Sequence, residues 1–157
     1  QQFFASVQNK MHWAAHGHTA AEIIHTRANA DQPNMGMTTW TGQKPTKAET
    51  IIAKNYLTTD ELDVLNRIVT AYLELAELQA LNRTPMYMKD WAARLDDFLR
   101  LTGRELLDNA GTISHQQALQ KAEQEYAKYR QALLSEPQPI DRDFEQAVKH
   151  LPKPQKP

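Results

Sequence analysis

Four of the chain's six histidines lie between residues 12 and 25, and a glutamate lies among them. Imidazole and carboxylate groups suit two kinds of chemistry near neutral pH, which are the binding of a divalent metal ion and the transfer of protons. An arginine just beyond them could stabilise an anionic group such as a phosphoryl group. The candidate catalytic residues are His12, His16, His18, Glu22, His25 and Arg27, and the first five are also the candidate ligands of a divalent metal.

Two short helices are expected to position these side chains. Apolar residues recur every three to four positions between residues 4 and 15, which predicts the buried face of a first helix that ends at Gly17. Thr19 followed by Glu22 is typical of a capping box and predicts a second helix that runs to about Ala28. Because residues four apart project from one face of a helix, a turn at Gly17 allows the two histidine-bearing faces to converge.

Each of these residues also has a structural explanation. A histidine near a helix C-terminus, as His16 would be, interacts favourably with the helix dipole, and Glu22 can serve as the carboxylate of the capping box. His12 and His25 can be ordinary hydrogen-bonding residues. The spacing also differs from HExxH, the helical metal motif. A catalytic or metal role and a structural role therefore both stay open, and the sequence favours the structural one.

A second candidate site combines aromatic and basic residues in the part of the chain before residue 59. Aromatic rings and ammonium groups can hold a nucleotide or a single nucleic-acid strand, although packing in a core is the commoner role of tryptophan. The segment 34–36 predicts a turn whose amides could surround an anion. The candidate binding residues are Asn34, Trp40, Lys54 and Tyr56.

The remaining pattern predicts further helices. Thr59 is expected to cap the longest of them, a central helix with a clear apolar stripe. Pro85 is expected at the first position of the next helix. Ser114 with Gln117 predicts the cap of a later helix, whose near-heptad spacing suits pairing with another helix of this chain or of a second copy.

The segment between the histidine-rich helices and the central helix is less regular. Residues 29–45 predict a long loop, which in a compact domain is usually functional or mobile. Thr46 with Glu49 repeats the capping-box pattern and predicts a brief helix that ends at about Asn55.

No alternating run of apolar and polar residues is long enough to predict a strand. The predicted fold is all-α, a compact bundle of about six to eight helices with no sheet. Residues 1–135 are expected to form the helical domain, residues 136–151 a short helix after a proline-containing linker, and residues 152–157 a disordered tail.

Composition narrows the possible environments and partners. A chain of 157 residues suits one domain with a single core. Its net charge of −1 argues against binding of duplex nucleic acid, and the absence of cysteine is compatible with a reducing cytoplasm. No apolar stretch approaches the roughly 20 residues of a membrane helix, so we expect no membrane association.

Four segments of the sequence resemble the virulence RhuM family of bacterial proteins, and the resemblance extends from Gln1 to about Arg130. They read QQFFASVQNKMHWAAHGHTAAEIIHTRA, QPNMGMTTW, AKNYLTTDELDVLNRIVTAYLE and TPMYMKDW. The resemblance implies the C-terminal region of a longer protein that begins with a DNA-binding segment. It also implies a bacterial cytoplasmic protein encoded in pathogenicity islands or prophage-like regions. The family name refers to no reaction, so the resemblance implies no catalytic residues.

Two functions follow as hypotheses. The first is an interaction, oligomerisation or sensing module attached to the DNA-binding segment, with a protein partner or a second copy as its partner. The second is a hydrolase or transferase that acts on a nucleotide or nucleic acid through the histidine-rich site. Convergence of the histidine side chains in one pocket would favour the enzyme.

Overall fold

The computed structural model describes residues 2–137 and 139–150, and the fold within these ranges is all-α, as predicted, with no strand. The helices are α1 (Gln2–His16), α2 (Ala20–Arg27), α3 (Thr59–Leu81), α4 (Met88–Leu101), α5 (His115–Ser135) and α6 (Pro139–Lys149). Three 3-10 turns at Pro33–Gly36, Ala48–Ile51 and Ala53–Tyr56 lie between α2 and α3.

The core lies where the two histidine-bearing helices pack against the longer ones. α1 contacts α3 and α4, and α2 contacts α5 and the turn Ala53–Tyr56. Leu95 and Leu99 of α4 are fully buried at this junction. The guanidinium of Arg104 donates to the carbonyl of Ala14 at 3.1 Å, and a cation there suits the unpaired carbonyls at the end of a helix. α1 is therefore fixed at the end that carries His16.

The central helix begins with a complete capping box. The hydroxyl of Thr58 accepts from the backbone N–H of Glu61 at 3.2 Å, and the Glu61 carboxylate accepts from the N–H of Thr58 at 2.9 Å. The prediction of Thr59 as the cap is wrong by one residue, because only Thr58 has a carboxylate three positions further on. The predicted box at Ser114 and Gln117 is confirmed.

The predicted start of α4 is also wrong. α4 begins at Met88 rather than at Pro85, and the carboxylate of Asp90 accepts from the N–H of Tyr87 at 2.9 Å. The hydrogen bond from Tyr87 to the Asp90 side chain therefore determines where α4 starts. The restricted φ of Pro85 does not determine it.

The segment that follows the long loop forms two 3-10 turns instead of the brief helix predicted from Thr46 to Asn55. The Glu49 carboxylate accepts from the N–H groups of both Thr46, at 2.8 Å, and Thr41, at 2.7 Å. The carboxylate therefore connects the preceding loop to this segment and does not act only as a helix cap. With this connection the chain turns too tightly for a regular α-helix.

The turn Pro33–Gly36 has an unusual backbone. Asn34, Met35 and Gly36 follow one another with φ values of 52°, 63° and 76°, in the left-handed region that costs a residue with a Cβ about 1–2 kcal/mol. The Met35 side chain is fully buried, and burial of a methionine contributes about 1.5–3 kcal/mol. Core packing therefore holds this turn, and the prediction of a turn here is confirmed.

The packed body contains five α-helices, slightly fewer than the six to eight predicted. α6 follows it, and its side chains from Ile140 to Lys149 are all exposed. The predicted tail at 152–157 lies outside the described residues. Among the helices in the described ranges, none is both long and apolar enough to cross a membrane.

Candidate functional site

An apolar groove of about 870 Å³ runs between α1 and α3. Five large apolar side chains that line it are exposed, namely Phe4, Ile51, Ile52, Leu73 and Met88. His12 and Lys54 lie among its few polar lining residues. A concave apolar surface with a few polar groups is the usual form of a binding site.

Two of the predicted histidines form a direct pair beside this groove. A hydrogen bond joins Nδ1 of His12 to Nε2 of His16 at 2.9 Å, as the i, i+4 spacing on α1 allows. Nδ1 of His16 is buried and has no hydrogen-bond partner within residues 2–137 and 139–150. A proton added to Nδ1 of His16 would find no acceptor there.

Both rings are therefore held neutral. Burial, with smaller contributions from the charges of His16 and Lys54, lowers the pKa of His12 from 6.5 to about 4. Burial likewise lowers the pKa of His16 to about 4, although the nearby Glu61 carboxylate opposes this shift. At neutral pH the pair is therefore uncharged.

His18, in the turn between α1 and α2, and Glu22, on α2, lie beside the pair. The His18 ring stacks against that of His16 with centroids 6.0 Å apart, and Nδ1 of His18 lies 3.8 Å from the Glu22 carboxylate. The predicted capping box here is only half formed. The Thr19 hydroxyl accepts from the N–H of Glu22, but the carboxylate turns away and accepts from the N–H of Thr112 at 3.3 Å.

Gly111 allows the loop before α5 to approach Glu22 closely. A Cβ at Gly111 would lie 2.7 Å from the Glu22 carboxylate and 2.7 Å from the Thr19 side chain. The φ of 83° also favours glycine at this position. Glu22 thus joins α2 to the loop before α5, which is a structural role.

Arg27 is engaged in a bidentate salt bridge and is not directed at a ligand. Its Nη1 and Nη2 donate to the two carboxylate oxygens of Glu61 at 2.6 and 2.8 Å, and Nη1 also donates to the carbonyl of Tyr56 at 3.0 Å. The hydrogen bonds to the guanidinium lower the pKa of Glu61 to about 2. The pair connects the end of α2 to the start of α3.

The predicted metal ligands do not form a ligand set. No group of three or more histidine, aspartate or glutamate side chains in the described ranges is arranged to hold a metal ion. His25 has no hydrogen bond, ion pair or ring contact with the other four residues there. The structure thus brings His12, His16, His18 and Glu22 close together and leaves His25 apart.

The four predicted binding residues are dispersed. Tyr56 is buried, and its hydroxyl donates to the carbonyl of Thr50 at 2.7 Å, so its ring does not offer a face for stacking on a base. Trp40 packs against the core, and Asn34 lies in the left-handed turn. Only Lys54 lines the groove.

A comparison with protein families matches the model of the virulence protein RhuM family over residues 1–136. The chain belongs to this family. The comparisons with curated proteins and with solved structures give no match. The resemblance predicted from the sequence is confirmed, and the RhuM-family region covers α1 to α5 and leaves α6 outside.

Sequence reasoning missed two parts of this RhuM-family site. Glu61 was hidden because a capping residue was expected one position later, although the Thr58–Glu61 spacing gives a signal. The groove itself was missed because its lining comes from five helices and the segment 51–54, which are far apart in sequence.

The Arg27–Glu61 pair provides a stability prediction. Arg27→Ala is expected to lower the free energy of unfolding by about 2–3 kcal/mol, since it leaves a carboxylate and a carbonyl without their donor in a half-buried setting. Urea denaturation of the variant and the wild type measures this loss.

Arg67→Ala is the matched control. Arg67 also pairs with a carboxylate, that of Asp63, but the two side chains are 79% and 60% exposed, against 29% and 20% for Arg27 and Glu61. The expected loss is about 0.5 kcal/mol or less. Equal losses for both variants would show that the Arg27 pair contributes no more than an ordinary surface pair.

Proposed function

We propose that this RhuM-family chain is an interaction domain whose groove binds an apolar helical segment of a protein. The single observation that carries the proposal is the groove itself, which keeps five large apolar side chains exposed in one concave surface. Contiguous exposed apolar surface of this kind is typical of sites that receive the apolar face of a helix.

The polar residues of the groove are suited to orient such a segment. Lys54 is exposed and its ammonium has no ion-pair or hydrogen-bond partner in the described part of the chain, so it can meet a carboxylate of the bound segment. His12 is neutral and rigidly held by His16, and can offer a hydrogen bond. Polar groups of this kind give orientation and specificity to an apolar site.

The wider context of this proposal rests on the family resemblance. We propose that the interaction domain follows a DNA-binding segment in a bacterial cytoplasmic protein encoded in a pathogenicity island. In this arrangement residues 1–135 form the domain, residues 136–151 a linker and short helix, and residues 152–157 a tail.

An enzyme, either a hydrolase or a transferase acting on a nucleotide or nucleic acid, is the second candidate. The hydrogen-bonded His12–His16 pair beside a large groove favours it. However, a base with a pKa of about 4 is poorly matched to proton transfer at pH 7, and Arg27 is already paired. The apolar lining therefore makes protein binding the better supported function.

Binding of the apolar dye 1-anilinonaphthalene-8-sulfonate tests the groove directly. At a concentration low enough to keep the chain monomeric, we expect the wild type to enhance the fluorescence of about one equivalent of dye. Leu73→Asp, which places a carboxylate in the groove, should reduce the affinity at least tenfold. Leu78→Asp is the matched control on the same helix, because Leu78 is similarly exposed but lies outside the groove. Equal binding by all three proteins would contradict the proposal.

A further inference from the structure

The short helix α6 has an apolar face that is exposed in the described part of the chain. Ile140, Phe144 and Val148 are 75%, 70% and 47% exposed, and their spacing of four places them on one side of the helix. A run of large apolar side chains is costly to leave in water and marks a surface that another element covers.

Acidic residues flank this apolar face on both sides. At about 100° per residue, Glu145 follows one edge of the face and Asp143 the other, whereas Arg142 and Lys149 lie on the opposite side. An occupant with this pattern suits a groove that is apolar and carries an unpaired lysine, Lys54.

We propose that the groove between α1 and α3 is filled by α6 of a second copy of this chain, and that two copies exchange their α6 helices reciprocally. The inference rests on the proposed binding function and names its occupant. The lengths agree, since the 11 residues of α6 span about 16 Å and the groove follows α1 from Phe3 to His12, which is about 14 Å.

The path of α5 favours a second copy over the chain's own α6. His115, at the start of α5, lines the groove, and Ser135, at its end, lies about 30 Å further along the helix axis. Three residues separate α5 from α6 and extend over at most about 14 Å. α5 therefore carries the beginning of its own α6 away from the groove.

The size of the contact favours exchange in both directions. The apolar face of one 11-residue helix is small beside the roughly 1,200 Å² that a stable interface buries. A reciprocal exchange about a two-fold axis doubles the buried area and closes the assembly at two copies. We expect a dimer that dissociates on dilution.

Sedimentation velocity of the 157-residue chain over a hundredfold range of concentration tests the exchange. The wild type should pass from monomer to dimer as its concentration rises. Phe144→Asp in α6 and Leu73→Asp in the groove should each leave a folded monomer, as judged by circular dichroism. Leu101→Asp is the matched control, because Leu101 is 87% exposed and lies outside both surfaces, and it should dimerise like the wild type.

A charge exchange tests the register of the contact. Lys54→Glu and Glu145→Lys should each raise the dimer dissociation constant about tenfold, and the double variant should recover most of the loss.

A wild-type monomer at every concentration overturns the proposal, as does a dimer that tolerates both Phe144→Asp and Leu73→Asp. If the dye still binds a monomeric wild type, only the exchange fails. If the dye does not bind either, the proposed binding function fails with it.

Discussion

Gly36→Ala is expected to lower the free energy of unfolding by about 3 kcal/mol or more. Two effects combine at this position. A φ of 76° is strained for any residue with a Cβ, and a Cβ built on Gly36 would overlap the backbone carbonyl oxygen of Arg27. Relief of the overlap has to move the end of α2, where the same arginine pairs with Glu61. Urea denaturation measures the loss.

Gly42→Ala separates the two effects. Gly42 has nearly the same backbone conformation, with φ of 74°, but a Cβ there would meet nothing within 4 Å. The strain alone should lower the free energy of unfolding by about 1 kcal/mol. The difference between the two variants then measures the contact with Arg27, and indistinguishable losses would show that the turn adjusts without resistance.

The free energy of unfolding is expected to fall steeply between pH 6.5 and pH 4. The pKa of His12 is about 4 in the folded chain and 6.5 when the residue is exposed, so the unfolded state binds more protons in this interval. The contribution of neutral His12 to the free energy of unfolding is fully present above pH 6.5 and is lost as the pH falls towards 4. His12 alone accounts for about 3 kcal/mol, and the shift of His16 acts in the same direction.

Urea denaturation at closely spaced pH values tests this dependence. His12→Gln keeps a hydrogen-bonding side chain but cannot gain the proton, so its stability should fall less over the same interval. A second loss, below pH 4.5, comes from Glu49 and Glu61, whose pKa values of about 2 in the folded chain stabilise it only while they stay ionised. Constant wild-type stability between pH 6.5 and 4.5 would contradict the buried, neutral state of the pair.

Local features of the sequence predicted much of the fold. The helix termini with side-chain caps, such as Ser114, depend on residues three positions apart and are visible in the sequence. The segment 46–55 was predicted incorrectly because Glu49 bonds to Thr41 as well as Thr46, and a loop contact of this kind changes the local preference. The left-handed turn depends on burial of Met35, which only the assembled core provides.

In the candidate site, too, the sequence predicted local features but not contacts between distant residues. The contact between His12 and His16 follows from their spacing on one helix, and the sequence predicted that both lie on one face. The partner of Arg27 is 34 residues away, and the groove residue Lys54 reaches His12 only through the packing of separate elements. No periodicity within a single segment contains this information, so the groove could be found only in three dimensions.

The bond between Arg27 and Glu61 also closes the long connection between α2 and α3. The two ends of residues 28–60 are held together by one ion pair, in the way that a crosslink closes a loop. The entropic cost of closing a loop rises only slowly with the length of the loop, so added residues change this cost little. The exposed stretch at 42–44 is therefore where an inserted sequence would disturb the domain least.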